Sequence, residues 1–162
     1  MYGFDALVEY AFNDATLKKE KFIVLAITFS EVLVVPDKFE QALDDGASVE
    51  QAVEASVINQ CIPVLQKITI RKDIKLFLYS STLKATKHAI KDAFEHLYGI
   101  EFDYVEATKL NYPPLKSTQD FSKKPYYSIL LDSKAGFEID DWVDLLEGIN
   151  KNFIIPGKNG DN

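Results

Sequence analysis

The sequence predicts an α/β fold with a mostly parallel sheet, arranged as a Rossmann-like three-layer sandwich. Three apolar stretches of strand length, at residues 22–29, 73–79 and 127–131, alternate with amphipathic helical patterns. Near-continuous apolar runs are typical of strands covered on both faces, as in parallel sheets. Strands that alternate with helices imply right-handed crossovers and a doubly wound sheet.

The first half of the chain has helix and strand patterns in alternation. In order, the predicted elements are a helix at residues 4–12, the first strand, one or two helical turns at residues 37–43, and a helix from about residue 49 to residue 67. Pro36 is expected to end the first apolar stretch, which extends or bends after Phe29. Ser48 and Gln51 form a capping-box pattern, and Pro63 should kink the helix that follows or mark a restart.

The second half continues the alternation. The predicted elements are a strand at residues 73–79, a long helix at about residues 83–97, an alternating strand at residues 101–105, a strand at residues 127–131, a helix at about residues 142–149 that Asp140 or Asp141 caps, and a short strand at residues 153–155. Ser81 or Thr82 should cap the long helix, and Gly99 should take its C′ position. The loop at residues 106–125 is long and polar, and such loops are often functional.

Length and composition indicate one soluble domain, residues 1–156, followed by a flexible tail at residues 157–162. The chain has 162 residues, of which 47% are hydrophobic and 27% charged. No apolar run approaches the roughly 20 residues of a membrane helix, and the amino terminus does not resemble a signal peptide, so we expect a cytoplasmic protein with no membrane contact. A single cysteine, Cys61, lies among apolar residues and predicts a buried structural thiol.

Polar residues follow the predicted strands. Thr28 and Ser30 end the first strand, Ser80 and Ser81 follow the second, and Asp132 follows the fourth. Ligands of open α/β sheets bind beyond the carboxyl ends of the strands, so we expect any binding site there. The net charge of −7 disfavours nucleic acid as a partner and is more compatible with a basic partner.

Three stretches resemble the motifs of the haloacid-dehalogenase-like (HAD-like) phosphohydrolases. Residues 26–33, A-I-T-F-S-E-V-L, resemble the first motif, Asp-x-Asp-x-Thr/Val-Leu after an apolar strand. Residues 76–81, L-F-L-Y-S-S, resemble the second motif, and residues 123–137, K-K-P-Y-Y-S-I-L-L-D-S-K-A-G-F, resemble the third and fourth together. The resemblance extends from residue 22 to about residue 151. It implies a HAD-like fold in which residues 37–57 form a minimal helical cap.

The same comparison shows that three of the four family carboxylates are replaced. Thr28 stands at the position of the nucleophilic aspartate, Ser30 at that of the general acid/base, and Ser133 at the second acidic position beside Asp132. A neutral alcohol needs an adjacent base to act as a nucleophile, and serine cannot supply a proton tuned near the working pH. The resemblance therefore implies a catalytically inactive pseudoenzyme with no required cofactor.

Phosphate recognition is a function that such a protein could retain. The resemblance implies that Ser80, Ser81 and Lys124 bind phosphate, with Lys116 and Lys123 as competitors for the role of the motif lysine. The partner is expected to be a phosphorylated small molecule or another protein. A simpler interpretation is equally open, in which these polar residues only end strands and cap a helix.

Two alternative functions remain open. In the first, the chain is a divergent Mg²⁺-dependent phosphatase or phosphotransferase in which Asp132 and Glu31 hold the metal ion, although the side chain at the Glu31 position of the motif is usually turned away from the site. In the second, it is a structural interaction module, with a homo-oligomer as one arrangement, whose acidic surface and tyrosine-rich residues 111–127 make the contacts.

Overall fold

The computed structural model describes residues 3–80, 84–105 and 127–154. These residues form α1 (Phe4–Leu17), β1 (Ile23–Ile27), α2 (Pro36–Asp44), α3 (Val49–Ser56), α4 (Cys61–Thr69), β2 (Ile74–Leu78), α5 (Lys84–Tyr98), β3 (Ile129–Leu131), a 3₁₀ turn (Ser133–Ala135) and α6 (Asp141–Lys151). The predicted α/β class and its parallel sheet are confirmed. Within the described ranges, no helix has both the length and the apolar character needed to cross a membrane.

The sheet has the strand order β2-β1-β3, and both pairs of strands are parallel. Ile27, at the end of β1, is in register with Leu78 of β2 and with Leu131 of β3. The three strands therefore end side by side, which places the residues that follow them at one edge of the sheet.

Residues 101–105 lie beside β2 but do not form the predicted strand. Tyr104 makes a single parallel bridge with Phe77, and its carbonyl accepts a hydrogen bond from the Leu78 amide at 2.9 Å. The Asp103 carboxylate accepts a hydrogen bond from the Leu76 amide at 2.8 Å. A continuous ladder would need the Leu76 amide to donate to a backbone carbonyl. The Asp103 side chain accepts from that amide instead, so the pairing is limited to one bridge.

Alternate residues of β1 face two different clusters. Ile23, Leu25 and Ile27 belong to the main core with residues of the helices, whereas Val24 and Ala26 pack with Phe77 in a smaller cluster. The smaller cluster contains no helical residue, and all helical residues of the two clusters lie in the main core. The described residues thus show a helical layer on one face of the sheet, and the predicted third layer stays a prediction.

The helix starts follow the prolines and the capping residues. Ser48 Oγ accepts from the Gln51 amide at 3.1 Å, and Gln51 Oε1 accepts from the Ser48 amide at 2.9 Å, which confirms the capping box. Pro36 is the first residue of α2, where its missing N–H costs nothing. The single helix predicted from residue 49 to residue 67 is two helices, and Pro63 lies in the first turn of the second, as a restart requires.

The segment predicted as a cap, residues 37–57, forms most of α2 and all of α3. Phe39, Ala52 and Val53 are buried in the main core, the cluster that also contains three of the five β1 residues. The α3 helix packs against α5, and an exposed contact of 2.6 Å joins His96 Nδ1 to Glu50 Oε1 between them. This segment therefore shares the main core, and its role as a cap remains a prediction.

At the amino ends of the strands, Arg71 joins the start of β2 to the end of α6. Its guanidinium donates to both carboxylate oxygens of Asp73, at 2.8 and 2.6 Å, and to the carbonyl oxygens of Ile149 and Asn152. Asp73 also accepts from the Ile154 amide at 3.0 Å. Residues 153 and 154 lie in no strand, since the Ile154 amide donates to the Asp73 carboxylate and not to a backbone carbonyl of the sheet. Residue 155, the last residue of the predicted strand, lies outside the described residues.

Candidate functional site

The carboxyl ends of the three strands open into a cleft of about 360 Å³. The described residues that line it are Thr28, Phe29, Ser30, Glu31, Tyr79, Ser80, Asp132, Ser133 and Lys134. The sheet order explains this arrangement, because β1 lies between β2 and β3 and all three run in the same direction. The polar residues that follow the three strands in the sequence therefore do meet in one concave site.

Thr28 links β1 to β3 at the floor of the cleft. It is half-buried, and both its amide and its Oγ1 lie 3.0 Å from the carbonyl oxygen of Leu131. A carbonyl only accepts, so the Thr28 hydroxyl donates its proton to Leu131. The side chain at the position of the family nucleophile thus has a structural hydrogen bond that joins two strands.

The chain turns sharply after β1 and brings Glu31 to the cleft. The Leu33 and Val34 amides both donate to the Phe29 carbonyl, at 3.0 and 3.2 Å, and the Glu31 amide donates to Val34 at 2.8 Å. Glu31 has a φ of 69°, a left-handed conformation that costs energy for a residue with a Cβ. Contrary to the usual orientation at this motif position, Glu31 lines the site.

On the β3 side, Asp132 organises the 3₁₀ turn. Its Oδ1 accepts from the Lys134 amide at 3.0 Å, and its carbonyl accepts from the amides of Ala135 and Phe137 at 2.9 and 3.1 Å. Gly136 ends the turn with a φ of 99°, which a glycine adopts without strain. Asp132 therefore acts as a cap for this turn while it also lines the cleft.

A hydrogen bond between side chains joins the two sides of the cleft. The Ser133 hydroxyl donates to Glu31 Oε2 at 2.7 Å. Ser133 stands where the family motif has its second acid, and a carboxylate at that position could not donate to Glu31. An alcohol at position 133 thus makes this contact possible.

Three charged side chains line the cleft without neutralising one another. Glu31 and Asp132 carry carboxylates and Lys134 an ammonium group. None of the three forms an ion pair with another residue of the described ranges. The described lining therefore has two negative charges and one positive charge that are open to a ligand.

Several predicted site residues cannot be placed in the cleft. Ser81, Lys116, Lys123 and Lys124 lie outside the described residues. Lys134, to which the sequence analysis gave no role, supplies the one ammonium of the described lining. Its position two residues after Asp132, directly beyond a predicted strand, is the feature of the sequence from which its place in the cleft follows.

The described part of the site lacks two common catalytic side chains, histidine and cysteine, and has no cluster of metal ligands. Neither a histidine nor a cysteine is among the described lining residues, and no group of three His, Cys, Asp or Glu side chains suited to a metal ion occurs in the described ranges. Cys61 lies in the core with no exposed surface, and burial raises the pKa of its thiol to about 12. The prediction of a buried cysteine is confirmed.

The fold and the site together define a class: an α/β protein with a parallel sheet and a polar cleft at the carboxyl ends of its strands. No protein-family model, curated protein or solved structure matches the chain. The family resemblance therefore depends on the three sequence stretches and on the positions of their residues in the cleft.

Proposed function

We propose that the chain is a catalytically inactive HAD-like protein whose cleft binds a phosphorylated small molecule without cleaving it. The observation that carries the proposal is the convergence of Thr28, Ser80 and Asp132 on one cleft. These residues stand at the first, second and fourth motif positions. The three-layer HAD-like sandwich with a minimal cap is part of the same proposal.

The loss of activity follows from the groups at the centre of the cleft. Thr28 is neutral and donates its hydroxyl proton to a backbone carbonyl, so it is neither anionic nor activated by a base. Ser30 replaces the general acid, a role that typically contributes about 10²–10⁴-fold in rate. The loss of both groups argues against hydrolysis at a useful rate.

Ligand binding is supported by the donors that remain. Lys134 has no ion-pair partner among the described residues, and the exposed Ser30 hydroxyl can donate to a phosphate oxygen. Ser80 also lines the cleft, and Ser81 and Lys124 are the further phosphate-binding residues that the resemblance implies. A lysine contacts phosphate as a point charge and needs no fixed geometry.

The test is a thermal-shift titration of the full chain with glycerol 3-phosphate in EDTA. A ligand that binds only the folded state raises the Tm as its concentration increases. We expect a concentration-dependent rise that is reduced in Lys134→Ala and kept in Lys72→Ala, whose exposed lysine precedes β2 at the opposite end of the sheet. No shift in the wild type, or an equal shift in Lys134→Ala, would count against the proposal.

A divergent Mg²⁺-dependent phosphatase is the second candidate, because Glu31 lies in the cleft together with Asp132. Mg²⁺ is commonly bound by one or two carboxylates together with the substrate phosphate. An aryl-phosphate assay with Mg²⁺ distinguishes the two functions. Activity that disappears in Asp132→Ala would favour the phosphatase and overturn the inactive-protein proposal. A protein partner and a homo-oligomer remain predictions from the sequence.

A further inference from the structure

The charged side chains that line the cleft indicate which charges a ligand should carry. The described lining contributes two carboxylates, Glu31 and Asp132, and one ammonium, Lys134, which gives a net charge of −1. A ligand that carries only a phosphate would gain from Lys134 but would be repelled by both carboxylates, since like charges near a binding site oppose binding. The described lining thus favours a ligand that carries a positive charge beside its phosphate over a purely anionic one.

The hydrogen bonds that Glu31 and Asp132 accept do not neutralise their carboxylates. Asp132 Oδ1 accepts from the Lys134 amide, and Glu31 Oε2 accepts from the Ser133 hydroxyl. These donors are neutral, so each carboxylate keeps its full charge and has a second oxygen with capacity to accept. Both side chains are held in place by these contacts, which reduces the entropy lost when they bind a cation.

We propose that the ligand is zwitterionic: a phosphomonoester that carries an ammonium group a few bonds from its phosphate. This inference rests on the proposed function. The ammonium is bound between Glu31 and Asp132, and the phosphate is bound by Lys134 and the exposed Ser30 hydroxyl. A volume of about 360 Å³ accommodates a ligand of that size, since small-molecule sites start near 300 Å³. The carboxylates then discriminate against phosphates that lack a positive charge.

The experiment compares three probes by isothermal titration calorimetry with the full chain. O-phosphoethanolamine carries both charges, glycerol 3-phosphate has similar size without the ammonium, and ethanolamine has no phosphate. All titrations contain EDTA, so that no metal ion can supply the positive charge. We expect O-phosphoethanolamine to bind about fivefold more tightly than either of the other probes, the factor that corresponds to one good ion pair in an open site.

The variant Glu31→Gln tests the origin of the preference. We expect it to weaken the binding of O-phosphoethanolamine about fivefold and to leave that of glycerol 3-phosphate unchanged or stronger. Glu147→Gln is the control, because Glu147 is exposed on α6 and does not line the cleft. Circular dichroism verifies that each variant is folded. A preference that survives in Glu31→Gln and also in Asp132→Asn would overturn the assignment of the carboxylates.

The remaining outcomes separate this inference from the proposed function. If glycerol 3-phosphate binds as tightly as O-phosphoethanolamine, the zwitterion is wrong while phosphate binding stands. If neither phosphate compound binds, both proposals fail. If ethanolamine binds as tightly as O-phosphoethanolamine, the cleft is a cation site and again both fail.

Discussion

At the scale of single residues, two alcohols make hydrogen bonds across the cleft, at positions that the sequence resemblance aligns with acids of the HAD-like motifs. The Thr28 hydroxyl donates to Leu131, and the Ser133 hydroxyl donates to Glu31. An ionised carboxylate at either position could only accept and would face a carbonyl or a second carboxylate. Both contacts need a hydroxyl that donates, so an acid at either position should put like charges or dipoles against one another.

The triple variant Thr28→Asp, Ser30→Asp, Ser133→Asp tests this dependence. We expect it to be less stable than the wild type in EDTA, because it loses two hydrogen bonds worth about 1 kcal/mol each and gains carboxylate repulsion. Mg²⁺ should recover part of the loss, since it binds clustered carboxylates. The measurement is the Tm with and without Mg²⁺, with the wild type as control. A triple variant that Mg²⁺ does not stabilise would argue that the motif alignment is mistaken.

At the scale of the elements, the Arg71–Asp73 ion pair before β2 is joined to the end of α6 by hydrogen bonds to its backbone. Arg71 and Asp73 have side chains only 13% and 12% exposed, and the Arg71 guanidinium lies over the rings of Phe12 and Phe153, at 5.4 and 4.2 Å. Burial acts to raise the pKa of Asp73, but hydrogen bonds from Arg71 and from the Ile154 amide, with the attraction of the guanidinium, outweigh it and lower the pKa.

The lowered pKa of Asp73 predicts how stability depends on pH. The unfolded chain binds a proton at this group near its ordinary pKa of 3.8, whereas the folded chain does so only at lower pH. The stabilisation is therefore complete above the unfolded pKa and is lost as the pH falls through the folded pKa. Urea unfolding from pH 7 to pH 2 should show this loss.

The variant Asp73→Asn serves as the test of that assignment. It leaves the Arg71 charge without its partner in a largely buried position, so we expect a loss of about 3 kcal/mol at pH 7. Its stability should also change less than that of the wild type as the solution is acidified. An unchanged acid dependence in Asp73→Asn would show that other carboxylates dominate it.

Gly148 sets the distance between α6 and α1. A Cβ at this position would lie 2.9 Å from Asp5 Cα and 2.9 Å from Val8 Cβ, closer than carbon atoms pack. Gly148→Ala should therefore destabilise the protein by about 1–3 kcal/mol, although the same change stabilises a free helix by about 0.5–1 kcal/mol. Glu147→Ala, at the exposed neighbouring position, is the control for urea unfolding. A stabilised Gly148→Ala would show that the two helices separate easily.

At the scale of the whole molecule, Cys61 reports on the integrity of the core. Its thiol is buried in the cluster that joins the helices to the sheet, and the thiolate is the reactive form. We expect an aromatic disulfide reagent to label it only through unfolding, at a rate that rises with urea in parallel with the global transition. Rapid labelling while the circular dichroism stays native would show instead that α4 opens on its own.

The parts of the fold that the sequence predicts correctly depend on local patterns. The apolar run of β1 and the Ser48–Gln51 capping box each lie within a few residues, so neighbouring side chains determine them. The predicted strand at residues 101–105 fails because the Asp103 carboxylate bonds a backbone amide of another strand. The approach of Glu31 to Ser133 spans 102 residues and depends on a left-handed turn, which no local pattern predicts for glutamate.

The central position of β1 has a consequence for the order in which the protein is made. Leu25 pairs with Ile129, so one edge of β1 has no partner until most of the chain has left the ribosome. Until then β1 offers unpaired backbone N–H and C=O groups between apolar side chains, which is the kind of strand that pairs with other chains. A nascent chain that stalls before β3 should therefore aggregate or recruit a chaperone, and the cleft cannot form until β3 and residues 132–134 have emerged.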